Sequence, residues 1–177
     1  MKIALFGGTF DPIHKGHMEI IKALFNELHM DKVIIIPTNI TYYKKNNAML
    51  SYNMRLEVCK MALNEASSLN GMNIEVSDIE RNIGPNEGFS KTVISLKEKY
   101  LNDELYTVIG SDSYNYLKTW IKYEGIIDNS RLIVVTRPGA LINKEYDIPY
   151  IELKLNMDIS STRIRKEITS LILEKLK

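Results

Sequence analysis

Four short apolar runs, at residues 2–6, 32–36, 105–109 and 131–135, are rich in Ile, Val and Leu and lack the alternation of a half-wet strand. A strand apolar on both sides must be covered on both sides, which points to a parallel sheet with helices on its two faces. The intervening segments supply those helices. In HMEIIKALFNELHM, residues 17–30, Ile20, Leu24 and Leu28 recur on one face beside Ile21 and Phe25, while Glu19, Lys22 and Asn26 point elsewhere. In NMRLEVCKMALNEA, residues 53–66, Leu56, Cys59 and Leu63 form a second stripe, widened by Met54, Val58, Met61 and Ala62. Strand and helix alternating at this spacing predict an α/β fold on a mostly parallel sheet with right-handed crossovers.

Between these elements the reading is coarser. Residues 39–51 read as a loop over the carboxyl edge of the sheet, and residues 78–88, with Gly84, Pro85 and Gly88, as another. Residues 73–76 form a weak strand and residues 150–153 a last short one. Ser90 is placed to cap a helix running to about Tyr100, and Ser160 or Ser161 to open a helical C-terminal tail. No repeat, low-complexity tract or linker interrupts the 177 residues, so residues 1–177 are read as one domain. Twenty-three basic against 22 acidic residues leave a net charge of +1, and no basic tail argues for nucleic acid or an anionic membrane. No apolar run approaches the length of a membrane span. The opening MKIALF lacks the longer apolar region and small-residue cleavage site of a secretory signal. A single cysteine, Cys59, excludes an intrachain disulfide or a multi-cysteine metal site. The expected setting is reduced and cytoplasmic.

The segment GGTFDPIHKGH, residues 7–17, leaves a buried strand and enters an amphipathic helix. Two glycines at the strand end let main chain approach a ligand closely, and helix N-terminal amides facing the same crevice favour an anion. The glycine spacing is not that of a dinucleotide fingerprint, and the GK[ST] of a P-loop is missing. His14 and His17 can set two imidazoles beside one polyanion and donate to phosphate oxygens, more strongly if protonated. Read blandly, the same histidines are a helix cap and a half-buried polar residue. A zinc pair lacks an evident third ligand, because Cys59 sits in an apolar stripe and His29 lies at the far end of the helix.

A second group, DISSTRIR at residues 158–165, sets three hydroxyls before two arginines. Hydroxyls at a helix start satisfy orphan amides, but three of them plus Arg165 one turn after Ser161 exceed what capping needs. Two helix-start anion sites in one α/β domain suggest a ligand with several phosphates.

GGTFDPIHKGH, VIGSDSYNYLKTW at residues 108–120 and ISSTRIR at residues 159–165 resemble the nucleotidyltransferase family with an HxGH motif. Within it they are most similar to the bacterial nicotinate-nucleotide adenylyltransferases, in order and length over nearly the whole chain. The resemblance implies a Rossmann-like domain. It implies transfer of the adenylyl group of ATP to nicotinate mononucleotide, giving deamido-NAD and pyrophosphate, with Mg2+ held mainly by the ATP phosphates and water. It also implies roles. His14 and His17 would bind ATP phosphates, with Gly8, Thr9 and Phe10 along the nucleotide crevice. Gly110 and Asp112 fall on the family's GxD element, Asp112 toward a ribose, and Trp120 falls near the acceptor's pyridine ring. Ser161, Thr162 and Arg165 would contact the triphosphate. Thr92 is retained from the family's SYTxxTL stretch, whereas Lys91 replaces its tyrosine.

The family's PPHK-like segment is also altered, to PTNITYYKK, so its lysine function falls on Lys44 or Lys45; Arg55 matches an arginine opening the following helix. These departures bear on the acceptor, and nicotinamide mononucleotide and phosphopantetheine stand as alternatives to nicotinate mononucleotide. A cytidylyltransferase and a non-catalytic nucleotide-binding regulator are more distant readings. The expected partners are ATP and a pyridine mononucleotide, with neither nucleic acid nor membrane, and a homo-oligomer is left open.

Overall fold

A computed structural model of the chain describes residues 1–39, 48–143 and 147–155. Six strands form one sheet: β1 (Lys2–Gly8), β2 (Lys32–Pro37), β3 (Ile74–Val76), β4 (Glu104–Gly110), β5 (Arg131–Thr136) and β6 (Tyr150–Lys154). Their order is β3-β2-β1-β4-β5-β6, and each neighbouring pair is parallel. The helices are α1 (Lys15–Asn26), α2 (Tyr52–Glu65), α3 (Gly88–Lys99), α4 (Ser111–Tyr114) and α5 (Glu124–Asn129).

The unbroken apolar character of the strands has a direct cause. Ala4, Phe6, Val33 and Ile35 turn to one face, where they meet Ile21 and Leu24 of α1 and Cys59 of α2. Their neighbours Ile3, Leu5, Ile34 and Ile36 turn to the other and meet Val93 and Leu96 of α3 and Ile126 of α5. All of these strand residues are at most 6% exposed. Each such aliphatic side chain removed from water stabilises the fold by roughly 1.5–3 kcal/mol, before conformational entropy is set against it.

Two local expectations are corrected. Met54 and Met61 do not widen the buried stripe of α2; they are 53% and 60% exposed, and the buried residues of that helix are Arg55, Leu56 and Cys59. The helix lies over β2 and the short β3 at the edge of the sheet, so only a narrow face is covered. Ser90 does not cap α3. The helix starts two residues earlier, after Glu87, and Ser90 is buried where a Cβ on Gly125 of α5 would collide with its hydroxyl. The helical tail expected from Ser160 or Ser161 lies outside the described residues.

The strand order also sets where a ligand fits. From β1 the chain crosses outward to β2 and β3, whereas β4 leads the opposite way to β5 and β6. Connections leaving the carboxyl ends of β1 and β4 therefore diverge and open a crevice between them, the general ligand position in an open parallel sheet. GGTFDPIHKGH leaves β1 and the Gly110–Asp112 turn leaves β4, so both motifs border that crevice.

Candidate active site

At the end of β1 the main chain carries no side chain for a steric reason. A Cβ on Gly7 would sit 2.8 Å from the ring of Phe89, and one on Gly8 would sit 3.2 Å from the ring of Phe10. Phe10 adopts the left-handed region with φ 46° and is 2% exposed. Its ring stands edge-on to Phe6 at 5.3 Å and to His17 at 4.9 Å. Phe10 therefore supports the His17 ring from the core, and main chain is what it can offer a nucleotide.

His14 is the N-cap of α1, and its Nδ1 accepts the N–H of Gly16 at 3.1 Å. His17, three residues on, returns the contact: its Nδ1 accepts the N–H of His14 at 3.1 Å. This is a capping box built from two imidazoles. An Nδ1 that accepts carries no proton, so each neutral ring is held as the Nε2–H tautomer and is a donor through that nitrogen. The rings lie 3.8 Å apart and inclined by 33°. Burial, assisted by the charge of Arg137, pushes the His14 imidazole down to about 4. His14 is thus a neutral donor at neutral pH rather than the protonated one that would strengthen the contact. The cap and the donor are the same arrangement.

At the end of β4, Gly110 is exposed, and a Cβ there would meet nothing within 4 Å. Ser111 is 6% exposed, while Asp112 in α4 faces solvent and makes no capping bond to that helix. On the neighbouring wall, Phe89 of α3 stands edge-on to Trp120 with ring centres 6.5 Å apart and planes at 86°. Gly88, with φ 62°, brings the start of α3 against Ile121, whose carbonyl would lie 3.2 Å from an added Cβ. The result is a corner of two perpendicular, partly exposed rings against the glycine main chain of β1.

Thr92 is fully buried, and its hydroxyl donates to the carboxylate of Glu80, itself 4% exposed. Burial raises the Glu80 carboxyl above its ordinary range, opposed by the Thr92 hydroxyl and by the main-chain N–H of Asn39. The Thr92 side chain thus ties α3 to the turn after β3. Because α3 begins at Gly88, the amides without an intrahelical partner belong to Gly88, Phe89 and Ser90 rather than to Lys91 and Thr92.

The structure brings Gly8, Thr9, Phe10, His14 and His17 to the end of β1, Gly110 and Asp112 to the end of β4, and Trp120 beside α3. Lys44, Lys45, Ser161, Thr162 and Arg165 lie outside the described residues. Phe89, Asp11 and Glu80 were not singled out from the sequence. Asp11 lay inside the quoted motif; an isolated phenylalanine and a glutamate in a loop gave no periodic signal. Among the described residues, no group of three or more His, Cys, Asp or Glu could hold a metal ion. Also among the described residues, no helix is long and apolar enough to cross a membrane.

Residues 5–167 match the cytidylyltransferase-like family. The chain is 32% identical over 169 residues to the nicotinate-nucleotide adenylyltransferase of Bacillus subtilis (strain 168), covering 96% of this chain and 86% of that one. It is 36% identical over 165 residues to the probable nicotinate-nucleotide adenylyltransferase of a Nitratiruptor species, covering 93% and 88%. Among solved structures it resembles the Plasmodium falciparum nicotinic acid mononucleotide adenylyltransferase complexed with NaAD, at a TM-score of 0.77 and 19% identity over 93% of this chain and 82% of that one.

Proposed function

This chain belongs to the cytidylyltransferase-like family, among the nicotinate-nucleotide adenylyltransferases, and from that premise we infer how its crevice transfers the adenylyl group of ATP to nicotinate mononucleotide. The products are deamido-NAD and pyrophosphate, a step of NAD biosynthesis. The observation that carries the reading is the His14–His17 box, two Nε2–H donors fixed at the start of α1 beside the glycine main chain of β1.

The acceptor phosphate is largely ionised at neutral pH, so the nucleophile needs no dedicated base. One of its oxygens forms a bond to the α-phosphorus of ATP as the α–β bridging P–O bond breaks, and pyrophosphate leaves with that electron pair. The task is to hold two anions in line and stabilise the charge that gathers on the leaving group. His14 and His17 supply Nε2–H donors to those phosphates. Gly8, Thr9 and Phe10 lie along the nucleotide crevice, and Asp112 beside Gly110 takes a ribose hydroxyl. Trp120 holds the pyridine ring. Lys44 or Lys45, with Ser161, Thr162 and Arg165, would complete the counter-charge.

Mg2+ fits as an ion carried by the triphosphate. Asp11, the buried carboxylate within the motif, accepts the amides of Met49 and Leu50 with its two oxygens, which leaves it unsuited to hold a cation. Magnesium keeps several waters and takes phosphate oxygens readily, and when bound it supplies charge neutralisation along the triphosphate. The reading places the enzyme in the cytoplasm as one nucleotidyltransferase domain over residues 1–177.

Pyrophosphate release from ATP, measured in parallel with nicotinate mononucleotide, nicotinamide mononucleotide and phosphopantetheine, tests the reading. Turnover with the first is expected to dominate. Preference for phosphopantetheine, or for CTP over ATP, would reject it.

A further inference from the structure

Arg55 on the first turn of α2 and Asp11 in the loop after β1 are each 2% exposed, and adenylyl transfer as derived above uses neither. A guanidinium withdrawn from water must find acceptors for its N–H groups. Arg55 finds them in main-chain carbonyls: Nη1 donates to Thr9 at 2.6 Å and to Thr38 at 2.8 Å, and Nε donates to Leu50 at 3.3 Å. Asp11 does the converse. Its Oδ2 accepts the N–H of Met49 at 2.7 Å and its Oδ1 that of Leu50 at 3.0 Å. Leu50 is thereby held at both ends of its polar main chain by this pair.

Thr9 follows the last residue of β1 and Thr38 the last residue of β2, so a single nitrogen of Arg55 spans the carboxyl ends of two adjacent strands. Direction matters more than proximity. In a trans peptide the C=O and the following N–H point opposite ways. Turning the Thr38 carbonyl toward Arg55 sends the Asn39 N–H away from it, while the Asn39 side chain donates from Nδ2 to the Glu80 carbonyl at 3.3 Å. The Thr9 carbonyl is held in the same manner, so the Phe10 N–H must also point away from Arg55. Phe10 stands at φ 46° with its ring locked in the core, which leaves this peptide plane little freedom.

We propose that Arg55, backed by Asp11, is a positioning residue for phosphate binding: by holding the Thr9 carbonyl it aims the Phe10 N–H at the phosphate of the bound nucleotide. The proposal rests on the adenylyl-transfer reading above. It assigns Arg55 no contact with substrate. Its effect runs through a peptide plane that a lysine, with one nitrogen in place of the fork, cannot hold in the same way.

The test is an amide NMR spectrum of the full chain titrated with α,β-methylene ATP, alongside kcat at saturating substrates for wild type and Arg55→Lys. In wild type the Phe10 amide is expected to shift strongly on binding. In R55K its position in the free protein is expected to differ, its response to shrink, and kcat to fall at least fivefold in protein that circular dichroism shows to be folded. A Phe10 amide that ignores the nucleotide in wild type overturns the proposal. So does a folded R55K with a smaller loss of kcat and an intact Phe10 response, because a purely structural arginine would lower only the melting temperature. If R55K fails to fold, Asp11→Asn takes its place with the same two outcomes. A wild-type chain that binds the ATP analogue through Phe10 but makes no dinucleotide would sink the assigned reaction and leave the positioning role standing.

Discussion

His14 and His17 fix one another: the Nδ1 of His17 accepts the main-chain N–H of His14 at 3.1 Å, and the Nδ1 of His14 accepts that of Gly16 at the same distance. Neither ring can turn over without breaking the cap of α1. The consequence is that each histidine has a structural end and a chemical end, and the two can be separated experimentally.

His17→Ala loses both ends. The cap should cost about 1 kcal/mol of stability, and loss of a donor to developing phosphate charge about 3 kcal/mol, or roughly a hundredfold in kcat. His17→Gln separates them, because glutamine at this position can still reach back to the cap residue. Thermal melting of H17Q is expected to approach wild type while its kcat stays low. Recovery of turnover in H17Q together with stability would assign His17 to the cap alone.

His14 resists protonation in the folded chain. Its ordinary value is 6.5, and burial beside Arg137 brings it to about 4. Between those values the unfolded chain binds the proton and the folded chain does not, so this group makes stability fall as pH drops through that window. Above about 6.5 the contribution is complete, and below about 4 no more is lost. An NMR titration of the His14 Cε1–H resonance should show no midpoint near 6.5. A midpoint there would mean that the ring is free to protonate and that Nδ1 does not hold the Gly16 amide.

Two glycines at the crevice should behave oppositely. Gly7→Ala drives a methyl to within 2.8 Å of the Phe89 ring, which already stands against Trp120. Overpacking of this kind costs roughly 1–3 kcal/mol, and displacement of Phe89 should raise KM for the pyridine mononucleotide. Gly110→Ala meets only open space in the free protein. Its melting temperature should match or slightly exceed wild type, while KM for ATP rises because the methyl enters the space taken by the nucleotide. Unchanged ATP kinetics in G110A would remove Gly110 from the nucleotide site.

The sheet was legible because covering both faces leaves a strong mark: runs such as residues 33–36 contain no polar residue at all. The histidine motif was legible for a similar reason, since strand, glycines and helix follow each other without a gap. What periodicity could not carry was contact between distant segments. Glu80 lay in a stretch read as a loop and Thr92 was matched to the family's motif as a site residue, and nothing local announces that one is buried against the other. Arg55 matched the family's arginine at the start of a helix, but its partners at Thr9 and Thr38 lie 46 and 17 residues away and carry no local signal. The start of α3 was misplaced because Ser90 is a good cap by residue type, and tertiary packing against Gly125 outweighed that preference.

The placement of α3 changes how acceptor choice should work. Nicotinate and nicotinamide mononucleotides differ in one group, a carboxylate against an amide whose NH2 is a donor. A selective pocket presents donors to both carboxylate oxygens, and an amide then turns its own donor toward one of them and leaves a bond unmade. Amides of Lys91 and Thr92 lie inside the helix and are spent on it. Those of Gly88, Phe89 and Ser90, in the first turn that sets Phe89 against Trp120, are without intrahelical partners. The helix dipole there favours an anion by a further fraction of a kcal/mol. We expect kcat/KM to favour the nicotinate form at least tenfold, about 1.4 kcal/mol. Trp120→Ala should weaken both acceptors alike, because a ring face does not distinguish carboxylate from amide. Lys91→Ala should leave the ratio of the two values unchanged if main-chain donors select, and collapse it toward one if the ammonium does. Gly88→Pro gives the complementary measurement: it removes one first-turn N–H and also forbids the φ of 62° seen at that position. The ratio should fall in any G88P protein that folds. A ratio that survives both K91A and G88P would place the selecting donors elsewhere in the crevice.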